Sequence, residues 1–582
     1  MGYTYQKTKE QLRHNIEVAH GRKSGSLLLR DANMVNVFSG EIYQTNILID
    51  GNTVVGCSEL YENADEILFL GGKYVIPGLI DSHVHIESSM ISPAEFARAV
   101  LPRGTTTIVW DPHEIANVLG KKGIDYALKS TERLPINIYL TASSCVPATE
   151  LENAGGRLES ADLEDILTHD RVLGLAELMN YPGVIYTDDK ILEKLIQGRK
   201  QGFIDGHAPG LTGFDLNAYM AGGICSDHEC SSLSEAMEKL RAGMHIMIRE
   251  GSAAKNLSEL IPIIRSGHQQ WVSFATDDRH PLDLKTEGHI DHILRRTIKM
   301  GFSPIRAIQC ATINAARYFR LEGHGAIAPG YRADIVILND LHDFMVDKVV
   351  KDGKVICENS EILVDIADYQ DPYALNTVKV ARIDDSNFII PAENGQAKVI
   401  ELIPDQIVTK KKMMTPKIAE SKVVSDTEND ILKLAVVERH RASGNIGLGL
   451  TTGFGLRDGA LASSVGHDSH NIITVGVHDA DMKLAVETII KMQGGCVAVQ
   501  KGEVIASLPL PIAGLMSDRP LQEVIDQLAQ LHQAAKELGC QVANPFITLA
   551  FLSLPPIPEL KLTDLGLVDA VQFKITPLFG NE

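Results

Sequence analysis

From Pro77 to Leu321 the chain alternates short apolar β-like runs with amphipathic helical stretches. The runs are Thr105–Trp110, Ile136–Leu140, Val172–Ala176, Phe203–Gly206, His245–Arg249 and Trp271–Thr276. Between them fall Ala94–Leu101, Leu163–His169, Lys190–Lys200, Ser232–Ala242 and Ile305–Phe319, with helical spacing. Near-continuous apolar strands are those buried on both faces, and helices must cover those faces. A β-then-α rhythm of this length predicts an α/β protein whose centre is one (β/α)8, TIM-like barrel over residues 77–322.

The flanks of this block read differently. Ser26–Leu29, Met34–Asn36 and Ile47–Ile49 are short β-runs separated by the turn signals Ser39-Gly40 and Asp50-Gly51, and Tyr74–Ile76 ends at Pro77-Gly78. Ala326–Leu338 and Val349–Ile356, with a turn at Asp352-Gly353, repeat the pattern downstream. Two β stretches around one block predict a small β-sandwich domain built from both flanks, residues 25–76 plus 323–365. Residues 1–24 read as a polar helical arm whose weak apolar stripe is Leu12, Ile16 and Val18–Ala19. Residues 366–425 read as a connection, with a loop-like Lys410–Lys412 run. A further α+β domain is expected over 426–582. It has a long helix near Thr427–Arg439, a Gly-rich strand region at Gly444–Gly459, and helices around Asp481–Met492 and Leu521–Leu538. The glycines of Gly444–Gly455 include no G-x-G-x-x-G after a strand, so close packing explains them better than a dinucleotide site.

Charge narrows the partners. The 582 residues carry 55 Lys+Arg against 75 Asp+Glu, a formal net charge of −20. Backbone binding to nucleic acid draws on Lys and Arg that neutralise phosphates, and anionic lipid surfaces make the same demand. The only local basic run is Lys410–Lys412, so neither nucleic acid nor a membrane is expected as a partner. The 8 cysteines are scattered, without a C-x-x-C pair, and read as reduced thiols of a cytoplasmic protein. Cys225 and Cys230 fit two small residues of a buried segment better than a metal pair. Met1–His20 is polar and does not read as a signal peptide, and no apolar run is long enough to cross a bilayer.

The strongest local signal is Pro77-Gly78-Leu79-Ile80-Asp81-Ser82-His83-Val84-His85. In a strand, residues two apart point to the same side, so His83 and His85 present two imidazoles together at the end of the first barrel strand. Paired neutral imidazoles suit Zn, Mn or Fe. Further donors follow later apolar runs: His207 after Phe203–Gly206, His228 in Gly222–Glu229, and Asp277 after Trp271–Thr276. Barrel enzymes place their catalytic groups at these strand ends.

The order H-x-H, His, His, Asp resembles the amidohydrolase superfamily. In many of its binuclear members a carbamylated Lys on strand four bridges two metals. Here that place falls in Val172–Gly183, which holds no Lys but does hold Glu177, a carboxylate able to bridge directly. Together with Asp111–Glu114 (DPHE), Asp205–Gly210 (DGHAPG) and Ala275–Pro281 (ATDDRHP), this resembles the adenine deaminases. Arg439–Gly447 and Gly466–Asn471 are similar to that family's C-terminal domain, so the resemblance spans nearly the whole chain.

The resemblance implies hydrolytic deamination of free adenine to hypoxanthine and ammonia, as in purine salvage. It implies two divalent metal ions, Mn or Fe(II) ahead of Zn, held by His83, His85, Glu177, His207, His228 and Asp277. It also implies a homo-oligomer, a dimer or larger. Asp277 and Glu114 are then the candidate catalytic residues, one for the proton of water and one for the purine. His113 is expected to support Glu114 or contact substrate, Asp278 to bond a purine N–H or fix Arg279, and His467 and His470 to line the substrate pocket. Two other functions fit these residues less well. A hydrolase of cyclic amides, dihydroorotase- or hydantoinase-like, would usually carry the bridging Lys, and a non-catalytic scaffold would have lost ligands. The base-flipping zinc deaminases need H-x-E and then P-C-x-x-C. His85-Ile86-Glu87 supplies the first by accident, and the second is absent.

Overall fold

The computed structural model describes residues 7–252, 254–404 and 406–580. Its centre is mixed α/β. Five parallel strands run in sequence order: β1 (Leu79–Val84), β2 (Thr105–Trp110), β3 (Asn137–Ala142), β4 (Val172–Leu178) and β5 (Ile204–Gly206). Three more form a second parallel sheet: β6 (Ser226–Asp227), β7 (His245–Arg249) and β8 (Val272–Ala275). The two sheets approach each other at both ends. The amide of Cys225, beside β6, donates to the carbonyl of Ile204 at 3.1 Å, while Asp277 N donates to His83 O at 2.9 Å and His85 N to Asp277 O at 3.1 Å. Strands β1, β2, β4 and β7 are buried along their whole length, as strands covered on both faces must be. Helices such as Pro93–Val100, Lys121–Thr131, Asp189–Gln201 and Leu233–Arg241 lie between them in sequence. The single helix expected over Ile305–Phe319 is two, Pro304–Cys310 and Ile313–Tyr318. Thr312 breaks it, turning its hydroxyl back onto Ile308 O at 2.5 Å.

The flanks hydrogen-bond into one nine-stranded sheet. Its join is antiparallel, Ile335 opposite Pro77 through Leu338 opposite Tyr74, so the chain leaves and re-enters this sheet around the central block. The N-terminal arm is a helix over Lys9–Ala19, started by a Thr8–Gln11 capping box. Val18 packs on Leu28, Leu48 and Val55, whereas Leu12 and Ile16 stay exposed. Residues 1–6 of the expected arm lie outside the described residues.

The C-terminal part is an eight-stranded sheet with helices Asp479–Met492, Leu521–Glu537 and Pro545–Phe551. Two expectations are corrected here. The helix expected near Thr427–Arg439 is a strand, Leu432–Val437, paired on both sides and buried throughout. A short apolar run buried on both faces has no periodicity that separates strand from helix, and Asp426 folds the preceding residues into a turn by accepting from the amides of Glu428 and Asn429. The segment 366–425, read as a connection, supplies two strands of this sheet, Ala397–Leu402 and Thr409–Met414. Lys410–Lys412 is therefore not a loop. It lies on the outermost strand, where exposed lysines discourage pairing with another chain.

The close-packing reading of the glycines holds at Gly447. A Cβ there would stand 1.8 Å from the carbonyl oxygen of Thr563, in the hairpin Leu560–Thr563/Gly566–Asp569. Gly447→Ala is expected to displace this hairpin at a cost of about 1–3 kcal/mol, seen as a lower unfolding midpoint by circular dichroism.

Candidate active site

The ends of the eight central strands bring one buried carboxylate among five imidazoles. Glu177, on β4, divides them between its two oxygens. Oε1 lies 3.7 Å from His83 Nε2, 3.4 Å from His85 Nε2 and 3.4 Å from His113 Nδ1. Oε2 lies 2.8 Å from His207 Nδ1 and 3.3 Å from His228 Nε2. Burial opposes ionisation of Glu177, but the imidazoles of His207, His228 and His85 outweigh it and hold the carboxyl well below the usual range. His228 is pushed up to about 9, because Glu177 overcomes the burial that would lower it.

Backbone geometry explains the convergence. Alternation along β1 puts His83 on the same side as His85, and their Nε2 atoms are 3.1 Å apart. Asp81, also on β1, sits beneath. Its carboxylate accepts from the amides of His83 at 3.2 Å and Thr276 at 3.1 Å and lies 2.9 Å from His289 Nε2, which ties β1 to the end of β8. His85 Nδ1 is 2.9 Å from the Asp111 carbonyl, which turns Nε2 into the site. The loops after β5 and β6 are joined by a buried knot. Lys239 Nζ reaches Ala208 O and Asp227 Oδ2 at 2.6 Å and Glu235 Oε1 at 2.7 Å. Asp227 Oδ1 accepts from the amides of Ala208 and Glu229, both at 3.1 Å. His207 and His228 stand on these loops.

Strand β8 ends at Ala275, and Asp277 has φ +56°, a left-handed conformation that Asp tolerates. The turn puts the carboxylates of Asp277 and Asp278 on the same side, both close to His85. A continued strand would have pointed Asp278 the other way. Asp277 Oδ1 is 3.0 Å from His85 Nε2 and 3.5 Å from His83 Nε2. Its other oxygen accepts a short bond from Arg249, which also pairs with Glu229. Burial would raise the Asp277 carboxyl, but Arg249 outweighs it and holds it well below its usual range. Asp278 accepts from Ser88 and does not fix Arg279, whose guanidinium bonds Gly288, Glu250, Gly251 and Glu287.

Glu114 forms a second centre. It lies in the first turn of helix His113–Leu119, but Glu87 caps that turn, accepting from Ile115 N at 3.1 Å and Trp110 Nε1 at 2.8 Å. Glu114 instead faces His113 Nε2 at 3.4 Å, His467 Nδ1 at 2.9 Å and, in a short contact, His470 Nε2. Burial opposes its ionisation and His467 and His470 outweigh this, so its carboxyl stays well below the usual range while His467 rises to about 9. His113 thus stands between the two centres, one ring nitrogen toward Glu177 and the other toward Glu114. His467 and His470 come from the C-terminal part, and the His467 ring stacks on Phe551 at 4.6 Å. A cavity of about 350 Å³ joins the centres, with Glu177, Asp277 and Glu114 as polar walls and Ile407, Phe551 and Leu554 as apolar ones. That volume suits a small organic ligand.

The donor set fits divalent metal. His83, His228 and Asp277 offer donor atoms close enough to share one ion, as do Glu177, His207 and His228. His207 Nδ1 is buried and makes no hydrogen bond despite the nearby carboxylate, as expected of a lone pair aimed at a cation. All six expected ligands are therefore together. Arg249, which ends β7, and Glu229 and Asp111 also belong to the site, and nothing local in the sequence distinguishes them from structural charges.

Residues 74–356 match the amidohydrolase family, and residues 406–574 match the adenine deaminase C-terminal domain. Fold and site thus place the chain among the amidohydrolases. It is 47 % identical over 567 residues to an adenine deaminase of Kosmotoga olearia, covering 97 % of this chain and 98 % of that one. It is 48 % identical to an adenine deaminase of Desulfatibacillum aliphaticivorans, covering 97 % and 99 %. Adenine deaminase 2 of Carboxydothermus hydrogenoformans is 49 % identical, with 97 % and 98 % covered. The chain belongs to the adenine deaminase family.

Lys239→Met would leave Asp227 and Glu235 buried and unpaired, a loss of about 3–5 kcal/mol for a buried pair. The unfolding midpoint should fall. The rise in midpoint on adding Mn(II) should shrink too, because the loops carrying His207 and His228 lose their common anchor.

Proposed function

We propose that this protein hydrolyses free adenine to hypoxanthine and ammonia, in purine salvage. The observation that carries the reading is the division of the imidazoles between the two oxygens of Glu177, beside a second carboxylate, Glu114, enclosed by histidines of the C-terminal part. In this reading His83, His85, Glu177, His207, His228 and Asp277 hold two divalent ions, Mn or Fe(II) in preference to Zn. Bound metal lowers the pKa of water enough to supply hydroxide near neutral pH.

The rest falls to the chain. Asp277, oriented by Arg249, accepts the proton that water gives up as its oxygen adds to C6. Glu114 and His467 share the proton that goes to the ring nitrogen beside C6, and His113 and His470 keep Glu114 in place. Asp277 then hands its proton to the amino group, the C6–N bond breaks to release ammonia, and the hydroxyl proton returns to Glu114 and His467, leaving the carbonyl of hypoxanthine. Asp278, held by Ser88, offers an acceptor to a purine N–H.

The same reading closes the two parallel sheets into one (β/α)8 barrel over 77–322 and folds the nine-stranded sheet into a small sandwich, 25–76 plus 323–365. The C-terminal α+β domain, expected over 426–582, also takes in the strands Ala397–Leu402 and Thr409–Met414. The enzyme would act in the cytoplasm as a homo-oligomer, a dimer or larger, which suits its cysteines, all of them free thiols. Among the described residues no helix is long and apolar enough to cross a membrane.

Ammonia release assayed on adenine, adenosine and dihydroorotate with Mn(II) tests the substrate. Adenine should react; release from adenosine alone, or ring opening of dihydroorotate, would overturn the reading. Glu114→Gln should lower turnover at least about 10²-fold with metal content unchanged. Metal analysis after purification with metal supplied should find two ions per chain, and fewer than one would favour a scaffold.

A further inference from the structure

Lys561 lies on the strand Leu560–Thr563 with its side chain fully buried. Among the described residues no carboxylate comes within ion-pair distance of it. Its Nζ donates to two main-chain carbonyls, Ile407 O at 2.8 Å and Phe551 O at 2.9 Å. An ammonium is costly to bury without a counter-charge, and burial pulls this one down to about 7. An apolar side chain of similar length would be the cheaper filling. The place of the two carbonyls offers a reason for the lysine.

Ile407 lines the active-site cavity directly beside Val408, and Phe551 lines it with Leu554, Pro556 and Ile557. Phe551 is the last residue of the helix Pro545–Phe551, where carbonyls lack partners within the helix and a cation is favoured. Its ring stacks on His467 at an interplanar angle of 16°, and His467 Nδ1 lies 2.9 Å from Glu114. Main-chain bonds tie the same two segments, Thr409 N to Pro558 O and Glu559 N to Thr409 O, both at 3.0 Å. One buried amine therefore sits behind both apolar segments that wall the cavity, two contacts away from the proton-bearing centre.

We propose that Lys561 is a positioning residue for the deamination: by tying the carbonyls of Ile407 and Phe551 it sets the apolar wall against which the purine lies and holds His467 in register with Glu114. This rests on the reading of the cavity as the adenine site. Released, the wall would shift by a fraction of an ångström, enough to disturb both purine binding and proton placement.

Lys561→Met keeps the length and removes the donors, and Lys561→Gln keeps one neutral donor group. Both would be compared with wild type on adenine, alongside metal content and the circular dichroism spectrum. For Met we expect wild-type metal content, a raised KM and a kcat/KM lower by about 10- to 100-fold. Gln should fall between Met and wild type. If Met does not fold, Gln alone decides, through a raised KM in a folded, metal-replete protein. Wild-type KM and kcat in either folded variant, even with a lower unfolding midpoint, would make the lysine merely structural and overturn the proposal. A wild-type enzyme inactive on adenine would instead overturn the substrate reading, and this inference with it.

Discussion

Everything at the centre of this molecule turns on one carboxylate that cannot be satisfied by a single neighbour. Glu177 is buried, carries its charge, and meets imidazoles on both oxygens. A buried charge survives only where opposite charge or donors surround it. The surroundings are correspondingly elaborate. Asp81 and His289 fix the strand that carries His83, the Asp111 carbonyl aims His85, and the Lys239 knot joins the loops that carry His207 and His228. Many of the buried polar groups in this half of the chain serve to aim an imidazole or a carboxylate.

Arg249 adds a constraint of the opposite sign. It occupies one oxygen of Asp277 and both oxygens of Glu229, so a cation belonging to the chain stands beside the place where cations are expected to bind. Asp277 is therefore held by two demands, its left-handed backbone and a guanidinium, and neither leaves it free to rotate. Glu114 shows the same economy. Glu87 takes over the helix-capping task that its position would suggest, and Glu114 is left for the histidines.

What was legible in the sequence followed from short-range rules. Strands β2 and β7 match their apolar runs residue for residue, and the H-x-H pair shares a face because a strand has a period of two. His207, His228 and Asp277 stand out in the sequence because each directly follows an apolar strand run, where barrel enzymes place functional groups. Long-range pairing was not legible. Nothing local in Leu432–Val437 says that strands lie on both sides of it, so its apolar run passed for a helix. Lys410–Lys412 reads like a loop because this outermost strand is exposed on both faces there and carries charge as a loop does. Arg249 and Lys239 were invisible for a related reason. Asp277 lies 28 residues from Arg249 and Asp227 lies 12 from Lys239, partners chosen by the fold, and a basic residue in isolation carries no mark of that choice.

The two centres of the site lie very unevenly along the chain. Every residue that surrounds Glu177 belongs to the first half, whereas Glu114 is closed in by His467 and His470 and by a wall that includes Phe551. On a ribosome, the Glu177 centre can assemble long before the chain is finished, while Glu114 stays open to water until His467, His470 and Phe551 have emerged and docked. The nascent protein would thus acquire the Glu177 centre early and the Glu114 centre late. A chain ending before residue 543 would lack Phe551 and the apolar wall that follows it while keeping every residue that surrounds Glu177.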